Sequence, residues 1–150
     1  MKIYTDSSFD EKRKLAGWGV VIIDGQKRRV FSNWTKAPDN NFGEMHAIYM
    51  AAVISGGKEA TLYTDSQTAL DYIEGRRGAE YESKHKKEWT HSQYIRHKQM
   101  QLMAYKIKRA NPRLAFDKIK GHQRDYKLHA LGNNLADLMA KEGRAKYYER

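Results

Sequence analysis

The pentapeptides Ile3-Tyr4-Thr5-Asp6-Ser7 and Leu62-Tyr63-Thr64-Asp65-Ser66 repeat one pattern, a short β-forming run that ends on Thr-Asp-Ser. Five residues are too few to establish a duplication, but they suggest one local task performed twice: a carboxylate carried at the carboxyl end of a buried strand. If the two strands lie side by side and parallel, Asp6 and Asp65 converge at the sheet edge where α/β folds place their ligands. Two further carboxylates stand in suggestive places. Glu44 opens the first turn of a helix, and Asp137 lies one turn into the last helix, within Gly132-Asn133-Asn134-Leu135-Ala136-Asp137-Leu138. Singly, each has an ordinary structural use. Glu44 can complement a helix dipole, Asp137 can sit on a solvated face, and Asp6 and Asp65 can cap turns. Gathered together, four anions repel, and burial raises the cost. A fold tolerates that only through protonation or bound cations. The chain has no cysteine, so the donors are all oxygen and suit hard cations, Mg²⁺ or Mn²⁺. Two such ions ~4 Å apart can activate a water and stabilise the leaving oxygen of a phosphodiester.

The elements that must position these groups can be read from pattern. Lys2–Phe9, Trp18–Asp24 and Arg28–Trp34 read as strands, with the Asp24-Gly25 hairpin signal between the last two. Ala37–Asn41 reads as a loop. Met45, Ile48, Tyr49 and Ala52 then fall on one helical face, and Gly56-Gly57 stops that helix. Ala60–Thr64 is a short strand and Ser66–Glu74 a short helix. Arg76–Thr90 is basic and without a clear period. A helix resumes near His91, with Met100, Met103, Ala104 and Ile107 on one face, and Asn111-Pro112 ends it. Leu114–Ile119 is the last strand, Gly121–Gly132 a polar loop, and Asn133–Tyr148 the last helix, with Leu135, Leu138 and Met139 on its inner face. This order predicts a single α/β domain over residues 1–150: a five-stranded mixed sheet, an antiparallel three-strand meander plus parallel strands, flanked by helices.

Charge narrows the partner. The chain carries a net charge of +10 over 150 residues. Between Arg76 and Arg109 stand ten Lys/Arg and three Glu, so +7 of that excess lies in less than a quarter of the chain. Such a segment suits a polyanion, nucleic acid being the commonest. Lys84, Lys86 and Lys87 run just before Trp89, with Arg96 and Lys98 following. The lysines are read as phosphate contacts, and Trp89 by itself as a core residue. No apolar run approaches the ~20 residues that span a bilayer, and the first residues lack the apolar stretch of a signal peptide. A membrane is therefore not expected as a partner, and the absence of cysteine fits a reducing compartment, the cytoplasm.

The residues then match a known set. Thr5-Asp6-Ser7-Ser8, Asn40-Asn41-Phe42-Gly43-Glu44, Tyr63-Thr64-Asp65-Ser66-Gln67, Lys120-Gly121-His122 and Gly132-Asn133-Asn134-Leu135-Ala136-Asp137 resemble, in order, the motifs of type 1 ribonuclease H. Ala16-Gly17-Trp18-Gly19-Val20 resembles its second strand. Any one motif is weak, while five in order over nearly the whole chain are a strong signal. The resemblance implies the ribonuclease H-like fold and an endonuclease that hydrolyses the RNA strand of RNA–DNA hybrids with two Mg²⁺ or Mn²⁺ ions. It implies that Asp6, Glu44, Asp65 and Asp137 hold the metals, with Asp6 between them. It gives His122 a part in proton transfer or product release, for which a pKa near neutrality is suited. It places Ser8, Asn40 and Gln67 against the minor groove of the hybrid, where 2′-hydroxyls distinguish RNA from DNA. It makes the basic segment at about 76–98 a grip on the substrate, through Lys84, Lys86 and Lys87. No obligatory protein partner is implied, and a monomer is expected.

Two features depart from the family's pattern. Ser7 stands where a glycine is usual, and Asp10-Glu11-Lys12-Arg13-Lys14 replaces a Gly/Pro-rich turn between the first two strands. Two other readings stay open from sequence: another nuclease of the same superfold, of integrase, transposase or resolvase type, or a hybrid-binding module without activity.

The charge distribution yields a quantitative expectation. Replacing Lys84, Lys86 and Lys87 together with Ala should raise KM for hybrid and leave kcat nearly unchanged, because phosphate contacts position substrate without distinguishing its transition state. Each lost contact should flatten log affinity against log salt by ~0.9. A parallel shift at every salt concentration would instead indicate a conformational effect.

Overall fold

In the computed structural model, which describes residues 1–119 and 126–150, strand β1 (Lys2–Asp10) buries Ile3 and Thr5 on one face and Tyr4 on the other. A strand buried on both faces belongs inside a sheet. The sheet order β3-β2-β1-β4-β5 places it at the centre. β2 (Leu15–Asp24) and β3 (Lys27–Lys36) continue antiparallel from it, through a hairpin whose Gly25 takes a positive φ of 63°. β4 (Ala60–Thr64) lies parallel to β1, and β5 (Leu114–Lys118) parallel to β4. The mixed sheet expected from sequence is the one observed.

Helices α1 (Asn40–Ser55) and α4 (His91–Ala110) cover one face. The Met45 and Ile48 side of α1 and the Met100, Met103 and Ile107 side of α4 close over Ile3, Trp18, Val20, Ile22 and Leu62. These are the helical faces that periodicity predicts. Caps set the ends: the Asp39 carboxylate accepts from the Phe42 amide at 2.9 Å, Gly56 ends α1 in the left-handed region, and Thr90 with Gln93 forms a capping box on α4. Asn111 is buried and donates to Ser55 Oγ at 2.7 Å, tying the two helix ends together. Short α2 (Gln67–Ile73) packs on α4. The basic stretch read as aperiodic folds into α3 (Ala79–His85) and a 3₁₀ turn (Lys86–Glu88), neither of which buries a residue.

Among the described elements, helix α5 (Tyr126–Tyr148) is the one that covers the β1–β3 part of the other face. It begins seven residues before the expected Asn133, so Gly132 lies inside the helix and not in a loop. Leu138, expected on the inner face, is 59% exposed. Leu135 and Met139 do pack against the sheet as expected, and beside them the closest contacts are made by small residues. A Cβ on Gly132 would overlap the Tyr4 ring, and one on Gly143 would overlap the backbone of Asn33 and Trp18. On the sheet side, a Cβ on Gly17 or Gly19 would strike the α5 backbone at Ala140 or Ala136. Helix and sheet thus meet backbone to backbone. The end of α5 is latched to the end of β1: buried Asp10 accepts from the Tyr148 hydroxyl and the Arg13 amide, which hold its carboxyl down to about 2. Along the outer edge, Lys146 donates to Ser32 O at 2.7 Å.

Gly143→Ala isolates that contact. Alanine gains about 1 kcal/mol of helix propensity over glycine, but here its methyl meets backbone that cannot turn aside, and overpacking costs about 1–3 kcal/mol. A net loss of stability in urea unfolding is expected. A stabilised variant would show that α5 stands further from the sheet than described.

Candidate active site

The register of β1 on β4 pairs Ile3 with Leu62 and Tyr4 with Tyr63. Continued along both strands, it brings Asp6 level with Asp65. The sequence echo is therefore two neighbouring parallel strands in register, each delivering an aspartate at its carboxyl end. Helix α1 crosses the same edge and adds Glu44. Ligand oxygens of Asp6, Glu44 and Asp65 all lie within 4.8 Å of one another. Asp137 approaches Asp6 from α5, close enough for its charge and a shared hydrogen bond to act on the Asp6 carboxyl.

Glu44 is the fifth residue of α1, so no helix-dipole role in a first turn accounts for it. It is 7% exposed. The Ser7 hydroxyl donates to its Oε1 at 3.1 Å, while Oε2 is buried with no hydrogen-bond partner among the described residues. Gly43 makes room for this: a Cβ there would stand 3.1 Å from Ser7 Oγ. The serine that replaces the usual glycine is thus accommodated by the α1 glycine opposite it, and it orients the most buried carboxylate of the cluster.

Burial first, then the charges of Asp65 and Asp137, push Asp6 up to about 7. Burial and the charges of Asp6 and Asp65 push Glu44 well above the usual carboxylate range. Opposing this, the Ser7 amide donates to Asp6 Oδ1 at 2.9 Å. Without cations the cluster must keep protons that free carboxylates release. The donor set fits a hard cation: all-oxygen, anionic, and with one buried oxygen that lacks a partner. Lys141, one helical turn beyond Asp137, pairs with its Oδ2 at 3.1 Å. Sequence reading passed over this lysine, although its i, i+4 spacing from Asp137 is the signal that would find it.

The remaining expected residues fall as follows. Ser8 is half-buried on β1, two residues beyond Asp6, and accepts from Arg144 Nη1 at 3.4 Å. Asn40 is exposed and starts α1 rather than ending a loop. Gln67 is exposed at the start of α2 and donates to Asp71 at 2.9 Å. No hydrogen bond among the described residues links these three to the acidic cluster. Lys84 pairs loosely with Glu80 at 3.5 Å, Lys86 lies 5.8 Å from the Tyr94 ring, and Lys87 is exposed. His122, with Lys120 and Gly121, lies outside the described residues.

Trp89 is not in the main core. It is half-buried and packs against His97 at 4.7 Å between ring centroids. With Asn41, Thr68, Arg77, Gln93 and Arg96 it lines an open pocket of about 320 Å³ between the start of α1 and helices α2 and α4. Two guanidinium groups beside an indole suit a phosphate-lined strand.

The sequence model of the RNase H family matches residues 1–145. Against the curated proteins, no sequence matches. Among solved structures, RNase H1 of the halophilic archaeon Halobacterium salinarum NRC-1 superposes with a TM-score of 0.68 at 16% identity, covering 97% of both chains. LC11-RNase H1, solved in complex with an RNA/DNA hybrid, gives 0.67 at 22% identity over 98% of both. The RNase H domain of prototype foamy virus gives 0.62 at 20% identity, over 95% of this chain and 92% of that one.

The raised carboxyl of Asp6 fixes the sign of a stability experiment. Between about 4 and about 7 the folded protein holds a proton there that the unfolded chain releases, so in EDTA this group lowers stability as pH rises through that window. Each pKa unit is worth about 1.4 kcal/mol. Asp6→Asn in EDTA should therefore stabilise the fold by about 1–3 kcal/mol at pH 8, with the gain fading as pH falls from about 7 and gone by about 4. Adding Mg²⁺ should raise Tm in the parent more than in the variant. A Tm loss in EDTA would reveal a structural partner for Asp6.

Proposed function

Because the chain belongs to the RNase H family, we propose that it is an endonuclease that cuts the RNA strand of RNA–DNA hybrids, with two divalent cations held by Asp6, Glu44, Asp65 and Asp137. One observation carries this reading: Asp6, Glu44 and Asp65 converge to within 4.8 Å while a buried Glu44 oxygen lacks a partner. The hybrid bound by LC11-RNase H1 supports the choice of substrate. When bound, Mg²⁺ or Mn²⁺ ions would supply an activated water and counter-charge for the leaving oxygen.

The residues divide the remaining work. Asp6 lies near the other three carboxylates and would be a shared ligand for the cations. Ser7 holds Glu44 in line. Lys141 pairs with Asp137 and partly offsets its charge when no cation is bound. His122 assists proton transfer or product release. Ser8, Asn40 and Gln67 contact the minor groove, where 2′-hydroxyls mark the RNA strand. The basic segment at about 76–98, with the Arg77, Trp89 and Arg96 pocket beside it, takes phosphates and a stacked base of the hybrid. The chain acts as a monomer, in the cytoplasm.

A hybrid labelled on each strand in turn tests this directly. RNA should be cut and DNA left whole, only when Mg²⁺ or Mn²⁺ is present, and folded Asp6→Asn should fall to background. Near-normal turnover by that variant would sink the assignment of the carboxylates. Equal cutting of duplex DNA would point to another nuclease of this fold.

A further inference from the structure

Helix α3 and the 3₁₀ turn behind it carry Lys84, Lys86 and Lys87, yet neither buries a single residue. An apolar stripe cannot be what holds this segment to the body. What lies beneath it is His97, on the inner side of α4 and 3% exposed. The His97 ring meets α2, α3 and the residue that follows the 3₁₀ turn. Nδ1 is 2.9 Å from the Tyr72 hydroxyl of α2, Nε2 is 3.6 Å from Glu82 Oε1 of α3, and the ring packs on Trp89 at 4.7 Å and Tyr81 at 6.0 Å. Lys98 anchors the same Glu82 oxygen from the next position on α4, at 2.6 Å. Arg77 lies over the rings of both Tyr72 and Tyr81, at 5.4 and 5.2 Å.

We propose that His97 is a positioning residue that pins α3 and the 3₁₀ turn to α2 and α4, and so keeps the Arg77–Trp89 pocket and the lysine segment in their binding arrangement. The proposal rests on the reading of that face as the grip on the hybrid. The ring's protonation follows from its neighbours. Burial holds His97 below the ordinary imidazole value, so the ring is neutral at pH 7. A lone pair on Nε2 would face a carboxylate and be repelled. The proton therefore sits on Nε2, and Nδ1 accepts from the Tyr72 hydroxyl. In this tautomer Nδ1 takes a hydrogen bond from α2, while the Nε2 proton faces the Glu82 carboxylate of α3 at 3.6 Å, an electrostatic contact and not a hydrogen bond.

Without the pin, hybrid would first have to reorder the segment, and that cost appears in binding and not in the chemical step. The loss equals roughly one buried hydrogen bond, so His97→Ala should raise KM about tenfold with kcat unchanged within about twofold. Because a neutral ring is removed, the slope of log KM against log salt should stay parallel to the parent, unlike that of the lysine variant. His97→Asn, which keeps an acceptor near Nδ1, should recover part of the lost affinity. Amide hydrogen exchange on His97→Ala without nucleic acid should show faster exchange over residues 79–88 and unchanged protection in β1, β2 and β4.

Three results would overturn the proposal: a fall in kcat at unchanged KM, faster exchange over the whole sheet, or a KM that rises with unchanged exchange over 79–88. A parent chain that neither binds nor cuts hybrid would remove the functional reading instead. The exchange pattern would then still decide whether His97 pins the segment.

Discussion

The approach of α5 to the sheet sets the geometry of everything at the active edge. Gly17 and Gly19 on β2 face Ala136 and Ala140 on the helix, and Gly143 faces the β3 backbone, with no side chain between them. Among the described residues, the fully buried core on this face is Tyr4, Val21, Ile119 and Ala136, with Ile23, Tyr63, Leu135 and Met139 packed against it. Close packing adds to this burial, because many backbone atoms meet at van der Waals distance and each pair adds dispersion energy. The functional consequence is one of reach. Asp137 has a short side chain, and it can act on Asp6 only because its helix lies so near the strand. A larger residue at Gly17, Gly19 or Gly143 would lift α5 and take Asp137 with it.

That packing must also offset an electrostatic cost. Four carboxylates share one edge, and two of them are pushed far from their ordinary values. The fold lowers the cost locally with the Ser7 amide and hydroxyl, and with Lys141 on Asp137. It does not cancel it, because a complete set of internal partners would leave nothing for a cation to do. Glu44 shows the compromise within one side chain: one oxygen is held by Ser7, and the other is buried and left without a partner. Local destabilisation of this kind is expected where a site is shaped for a ligand rather than for the fold alone.

The parts of the molecule that could be read from sequence share a physical cause. The β1 and β4 echo, the α1 stripe and the α4 stripe all bury regular patterns of apolar residues, and period is what burial writes into a sequence. Helix α3 buries nothing, so it leaves no stripe to read. The start of α5 was missed because Gly132-Asn133-Asn134 has low helix propensity, which tertiary packing on Tyr4 overrides. Leu138 misled for the complementary reason: glycine and alanine make the closest contacts of α5 with the sheet, Leu135 and Met139 fill in beside them, and Leu138 falls on the outer side. Trp89 packs on His97 in a side cluster that depends on residues from three helices, and no local pattern announces such a meeting. The carboxylates were legible because their types and order carried the resemblance, while Ser7 and Lys141 became meaningful only once their neighbours were known.

The outer strand of the sheet has a consequence of a different kind. β3 is ten residues long and ends the sheet, so one side of it presents unpaired amides and carbonyls. Val30 is 47% exposed there. Such an edge is a template on which a second copy can add laterally. Two devices oppose this: the Lys146 ammonium occupies the Ser32 carbonyl, and Lys27, Arg28 and Arg29 charge the hairpin end. Both are electrostatic, and screening by salt weakens the repulsion between charged strands on neighbouring molecules. Colloidal stability of the purified protein is therefore set by ionic strength as much as by folding free energy, and concentrated stocks in high salt are where edge-to-edge association begins.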